Sequence, residues 1–373
     1  MLVLSALTLV VVLAFVVFSV DLGFLALTKA HLQNASDAAT FAAAIELSRG
    51  VGSDPELSSS GVASVGREAA FQVASSNASG EKATTFVDRN RDVRFGQLQW
   101  SPQSNSWVEV WNEAPFTLVE VTVHRETSNG VSSPDGPVPL FFGPVIGHAF
   151  ANLTVRSAAA IVPGGGFRID QNSSAKAAVL PIALDVDSWN QLMQGNGNDN
   201  YTWNEALNRV DNWPDGTLEV DIYPTGNKSL PPGNRGTVDL GNPNNSTADL
   251  KRQIEEGLNA DDLSWFGGTI RFDEPLELNG DTGLSAGIES ALKSVIGEVR
   301  AVPLFTSVSG PGNNANYVID RFVGVRIMDV KLSGNPNTRR VVVEPAFFSD
   351  STVVRGTSEI RSDSIFTRPI LIR

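Results

Sequence analysis

The chain has 373 residues, 42% of them hydrophobic and 8% aromatic, which fits a folded protein with a sizeable core and excludes a disordered one. Its formal net charge of −13 repels phosphate-rich partners, so nucleic acid is not an expected partner. Cysteine is absent, which excludes disulfides, zinc–thiolate sites, iron–sulfur clusters and thiol nucleophiles.

Residues 1–20 carry no charge, no glycine and no proline. At about 1.5 Å per residue they reach about 30 Å, the thickness of one bilayer core. The basic start and small-residue cleavage site of a signal peptide are missing around this run, so a retained helix is expected. Removal of a basic leader ahead of Met1 would account for the missing basic flank. From Asp21 the apolar residues continue at helical spacing through Leu22, Leu25, Leu32, Ala35, Ala39, Ala42 and Ile45. Lys29, His31, Gln33, Asn34 and Asp37 fall mainly on other faces, and Arg49-Gly50 supplies a stop. The expectation is one rod spanning 1–50, about 70 Å long. The alanines of its second half permit close helix–helix approach. The same alanines also suit a helix lying on its own domain.

Residues 20–47, "VDLGFLALTKAHLQNASDAATFAAAIEL", resemble the N-terminus of the TadG-like pilus-assembly proteins. There a hydrophobic helix runs through Asp-x-Gly and then Leu-Gln-x-Ala-x-Asp-Ala-Ala. Asp21, Gly23, Leu32, Gln33, Asn34, Asp37, Ala38 and Ala39 match that pattern, with Ser36 in place of the usual small residue. "FGQLQW" and "LTVRSAAAIVPG" resemble the family's β region, so the likeness touches residues 1–165 and is strongest in the helix. The resemblance implies an envelope protein of a Tad-type pilus system, related to the broader pilin-like group. Two departures stand out. Type IV pilins carry a Glu near the mature N-terminus where this chain has Ser5. Asp185 and Asp187 in "ALDVDSWNQ" lack the serines of a von Willebrand A metal motif, so that domain is not expected.

Beyond the rod, residues 51–85 read as linker around a short helix at 62–74. Residues 86–162 read as a β-rich domain, with strands in "DVRFGQLQW", "SWVEVW", "FTLVEVTVHRE", "VPLFF" and "ANLTVRSAAAIV". The Gly-rich stretch 163–174 reads as a hinge. Residues 175–373 read as a C-terminal α+β domain with an Asn/Gly-rich insertion at 190–245 and helices at 246–258 and 284–299. The expected fold class is α+β: a long, pilin-like hydrophobic N-terminal helix followed by two β-rich α+β regions.

Chemistry-bearing patterns are sparse. His31, His124 and His148 have no spacing that pairs them for a metal, and "PGGGF" lacks the Lys-Ser/Thr of a phosphate loop. "GNGNDNYTWN" alternates Asn like oxygen ligands but offers Tyr201 and Leu207 where a calcium loop needs Gly and Glu. No catalytic residue, metal or other cofactor is therefore expected, and the chain does not read as an enzyme. The expected function is that of a structural, pilin-like subunit of a bacterial cell-surface filament, with the globular regions outside. Its helix would sit in the inner membrane before assembly and pack against copies of itself afterwards, through Leu4, Val11, Phe15, Val20, Leu25, Leu32, Ala35, Ala39 and Ala42. The alternative is a membrane-anchored Tad-type assembly factor or minor tip component, partnered by other pilus-assembly proteins.

Overall fold

The computed structural model describes residues 2–128, 131–132, 134–223, 236–242, 246–310 and 312–372. Leu2–Leu47 is one unbroken helix of 46 residues (α1). Proline, which would break it, is absent, and leucine and alanine, the strongest helix formers, recur throughout. The helix ends in a tight turn at Ser48–Gly50. A second helix, Ser59–Ser75 (α2), contains the expected 62–74 segment and starts where the Ser58 hydroxyl accepts from the Gly61 N–H at 3.3 Å. It runs antiparallel to α1, with Val62 beside Gly50 and Gly66 beside Ala43.

The helix pair lies on an antiparallel sheet. Strands β1 (Val93–Ser101), β2 (Ser106–Trp111), β3 (Leu118–Arg125) and β4 (Leu153–Ala160) join the C-terminal strand Ile370–Ile372, in the order β2-β1-β3-β4-C-terminus. The period of two sorts the side chains. Val119, Val121 and Val123 face the helices and pack with Leu32, Ala39, Ala43, Leu47, Val62 and Ala70. Leu118, Ala158 and Ala160 line the opposite face with Trp107 and Trp111. The last strand of the chain thus completes the sheet that carries the first helix.

The Gly-rich stretch expected as a hinge contains a strand, Gly164–Arg168 (β5), paired on both sides by Thr269–Arg271 and Val353–Arg355. Its glycines serve close approach, not flexibility: a Cβ on Gly165 would lie 2.5 Å from Gly356 Cα, and one on Gly166 only 2.2 Å from the Ile270 carbonyl. Beyond it, Ile182–Asp185 (β6), Gly236–Val238 (β7), Leu276–Thr282 (β8), Val299–Ser309 (β9) and Ala315–Lys331 (β10) form a ring. It closes because β10 pairs with both β8 and β9, while β9 runs parallel to β6. Arg340–Pro345 (β11) extends from β10. One buried cluster of the ring region centres on Phe305, Tyr317 and Phe322. Another joins Ile182, Leu304 and Val325 to Trp189, Leu250 and Ile254 of the helices Val186–Met193 and Thr247–Glu256.

The helix expected at 284–299 is shorter, Glu289–Ser294, preceded by a 3-10 turn. It stops before Gly297, whose φ of +86° a helix cannot accept. In the expected insertion at 190–245, residues 224–235 and 243–245 lie outside the described residues. The remainder includes the small hairpin Thr202–Asn204 with Arg209–Asp211. The observed class is α+β, a long apolar helix followed by strand-rich regions.

Candidate functional site

Burial divides α1 at Asp21. On the N-terminal side Leu4, Val11, Phe15 and Val20 are exposed, Phe15 to 69%; at about 100° per residue the first three share one face, and Val20 with the exposed Leu9 and Val16 covers the opposite one. A helix apolar all round is suited to lipid or to a sheath of other apolar helices. Its hydroxyls are satisfied on its own backbone: Thr8 Oγ1 donates to the Leu4 carbonyl at 2.9 Å and Ser19 Oγ to the Phe15 carbonyl at 2.8 Å. By length and composition Phe15–Gly50, which begins in this half and runs into the next, qualifies as a candidate membrane span. On the C-terminal side Leu32, Ala35 and Ala39 are fully buried in this chain's own fold, and Leu25 and Ala42 are half-buried.

The residues that carry the sequence resemblance hold this buried half to the sheet. Gln33 Nε2 donates to Asp37 Oδ1 at 2.7 Å and to Ser157 Oγ on β4 at 3.0 Å, and the Ser157 hydroxyl donates in turn to Asp37. Ser36 Oγ donates to the Val121 carbonyl at 2.9 Å and Thr40 Oγ1 to the Ser157 carbonyl at 3.2 Å. Polar groups are thereby satisfied inside an otherwise alanine-lined seam. A cleft of about 480 Å³ opens beside that seam, between Gln33, Asp37, Glu120, Arg156, Ser157 and Leu371.

Asp21 marks the boundary. It is 7% exposed, and its carboxylate accepts from three successive backbone amides. Phe141 N–H reaches Oδ1 at 2.8 Å, Gly143 N–H reaches Oδ2 at 2.8 Å, and Phe142 N–H lies between at 3.1 and 3.3 Å. The Phe141 ring meets Phe24 edge-on, centroids 5.2 Å apart. Gly143 is required here, since a Cβ would come within 2.1 Å of the His148 carbonyl. An added Cβ at Gly23 meets nothing within 4 Å, so the structure gives no reason for the glycine of the Asp-x-Gly pair.

The loop that binds Asp21 is rooted by Arg125, fully buried at the end of β3. Arg125 Nε donates to the Gly136 carbonyl at 2.9 Å, and the remaining nitrogens bind Ser79, the Pro137 carbonyl and the Glu81 carboxylate. Nearby, His124 lies 3.0 Å from Glu126 and 3.4 Å from Asp92. Its hydrogen bond to Asp92 raises its pKa above the ordinary histidine value, against the effect of burial.

The structure brings none of the three histidines together: His31 is half-buried on α1, His124 is on β3 and His148 is exposed in the 141–150 loop. Aspartates in and around the Asn-rich stretch "GNGNDNYTWN" have structural duties. Asp185 caps the helix at Val186 by accepting from Ser188, Asp199 accepts from the Asp215 and Gly216 amides, and Asp211 pairs with Arg209. Among the described residues no cluster of three or more His, Asp or Glu is placed to hold a metal ion.

"VPLFF" was expected as a strand, but only Val138–Pro139 pairs, with Phe150–Ala151, and Phe141 and Phe142 turn out across the helix. The sequence signal available was an uncharged run from Gly136 to Ala151, punctuated by Gly-Pro and Ile-Gly.

Neither a curated protein nor a solved structure matches the chain. What does match is the helix whose seam and boundary have just been described: residues 1–46 fit the Tad family model, TadE/G-like Flp pilus assembly, so this helix is similar to the one of that family.

Proposed function

We propose that the chain is a non-enzymatic, membrane-anchored component of a Tad-type pilus-assembly system. Its helix from Leu2 to Val20 lies in the inner membrane and its body on the outer side, available to other pilus-assembly proteins. The observation that carries this reading is the division of α1. The exposed half has bilayer length and is apolar on every side, while Leu32, Ala35 and Ala39 of the other half are used within the chain's own core. A membrane-anchored envelope location follows from the same helix and from the family match.

A second reading keeps the chain as a pilin-like subunit that polymerises with copies of itself. It is favoured by the free surface of Leu4, Val11, Phe15 and Val20, which neighbouring helices would cover as well as lipid does. In that reading Leu25 and Ala42, half-buried, complete the contact surface. Shearing cells and analysing the surface and membrane fractions by electron microscopy and mass spectrometry separates the two. The anchored component stays with membranes until detergent is added. Regular sheared fibres composed mainly of this chain would overturn that assignment in favour of the subunit.

A further inference from the structure

We infer that the loop Phe141–Phe150 is a second membrane contact, a collar that seats the body on the lipid surface where α1 emerges. This rests on the reading of Leu2–Val20 as a bilayer span. The occupant is the interfacial zone of a bilayer, not a peptide or another copy.

The placement comes from the order of contacts along α1. Moving toward its N-terminus, Thr40 bonds to Ser157, Ser36 to Val121, Thr28 touches Gly80, and Asp21 binds Phe141–Gly143. The 141–143 segment is therefore the body's contact nearest the exposed half. The loop is ordered by its own bonds. Leu140 N–H donates to the Ala149 carbonyl at 3.0 Å and His148 N–H to the Gly143 carbonyl at 2.9 Å, with Gly147 in the left-handed region. Such a loop holds its side chains out without needing to reorder on contact.

Those side chains are apolar. Phe141 is 64% exposed, Val145 83%, Ile146 70% and Phe150 62%. From Gly136 to Ala151 there is no Asp, Glu, Lys or Arg. This patch adjoins the exposed half of α1 at Asp21, so it is continuous with the surface assigned to lipid. An acidic body of net charge −13 gains nothing electrostatically from anionic headgroups, which makes apolar insertion the available means of seating it. Asp21 fits the same picture. A carboxylate at the edge of the hydrocarbon is costly unless its oxygens are occupied, and here the collar's amides occupy them.

The lack of cysteine allows single-site probes on the full chain. Val145→Cys and, separately, Val12→Cys are labelled with an environment-sensitive fluorophore, and the protein is reconstituted in phosphatidylcholine vesicles carrying spin-labelled lipid. Leu207→Cys, exposed in the body, serves as the aqueous control. The expected result is quenching of the Val145 probe by headgroup-proximal spin label at least about twofold above the Leu207 probe, and of the Val12 probe by deep label. Asp21→Ala should return the Val145 probe toward the control while the Val12 probe stays quenched. If Val12 is quenched and Val145 matches Leu207, the collar is wrong and the span stands. If Val12 is not quenched, the span fails and the collar with it. Protection of Val145 that vanishes on dilution of protein in lipid would assign the patch to a second copy and overturn the proposal.

Discussion

The two halves of α1 are parts of one helix, with 16 apolar residues of 19 from Leu2 to Val20 and 16 of 27 from Asp21 to Leu47, and they are used in opposite ways. Before Asp21 most of the exposed side chains are large and aliphatic or aromatic, with Ser5, Thr8 and Ser19 among them, and the helix touches little of the body. From Asp21 to Leu47 alanines alternate with Leu32 and Leu47, and α2 and the sheet close over them. Side-chain size contributes to the difference beside the higher apolar share of the first half. Small residues let backbones and strands approach, so one side of the second half is covered by this chain's own elements, while Leu22, Leu27, Phe41 and Ile45 stay exposed. Bulky side chains all round present a surface that a single neighbour cannot cover, and that half needs a surrounding medium.

The largest expected effect breaks the joint on which this division depends. Arg125→Ala leaves Glu81 and several carbonyls without their buried partner, and should lower stability by about 3–5 kcal/mol, read as a fall in the urea midpoint in detergent. Phe15→Asp acts on the exposed half alone. A carboxylate near the centre of a span opposes insertion by about 2.5–3.5 kcal/mol, so alkaline washing should release the protein from membranes while its near-ultraviolet dichroism is unchanged.

Ala39→Leu tests the complementary half. It overpacks a fully buried position and should cost about 1–3 kcal/mol in thermal or urea unfolding, while Val16→Leu in the exposed half should cost nothing measurable. Asp21→Asn keeps an acceptor but loses charge, and about 1 kcal/mol of stabilisation should go with it, with faster amide exchange confined to 141–143.

The smallest effect is a titration that belongs to the body. His124 has a raised pKa when folded, so the stability it contributes is complete below the unfolded value of about 6.5 and is lost as pH rises through the folded value. Unfolding midpoints should decline across that window in the parent, and His124→Gln should flatten the decline.

Much of this was legible in the sequence, for physical reasons that can be named. The helix from Leu2 to Leu47 was written in an unbroken apolar period without proline, and the strands β1 to β4 in their β-branched and aromatic alternation. The Leu32-Gln33 and Asp37-Ala38-Ala39 pattern could be read as a family feature, but not as a seam, because Ser157 lies 120 residues from Asp37. Asp21 was hidden for the same reason, its partners being 120 to 122 residues away. Gly164–Gly166 misled because glycine serves both loose chain and tight contact, and only the neighbours decide which. Phe141 and Phe142 after Pro139 and Leu140 looked like strand residues; their exposure came from the clamp on Asp21, a tertiary fact.

The continuity of α1 has a mechanical consequence. A rod of about 69 Å with its far half packed into the body transmits tilt, since a sharp kink at the boundary would break backbone hydrogen bonds or the Asp21 clamp. In a thinner bilayer the span would lean to keep its apolar length covered, and the body would lean through the same angle. On the membrane-anchored reading, lipid thickness thus becomes a lever on the direction in which the strands of the body face.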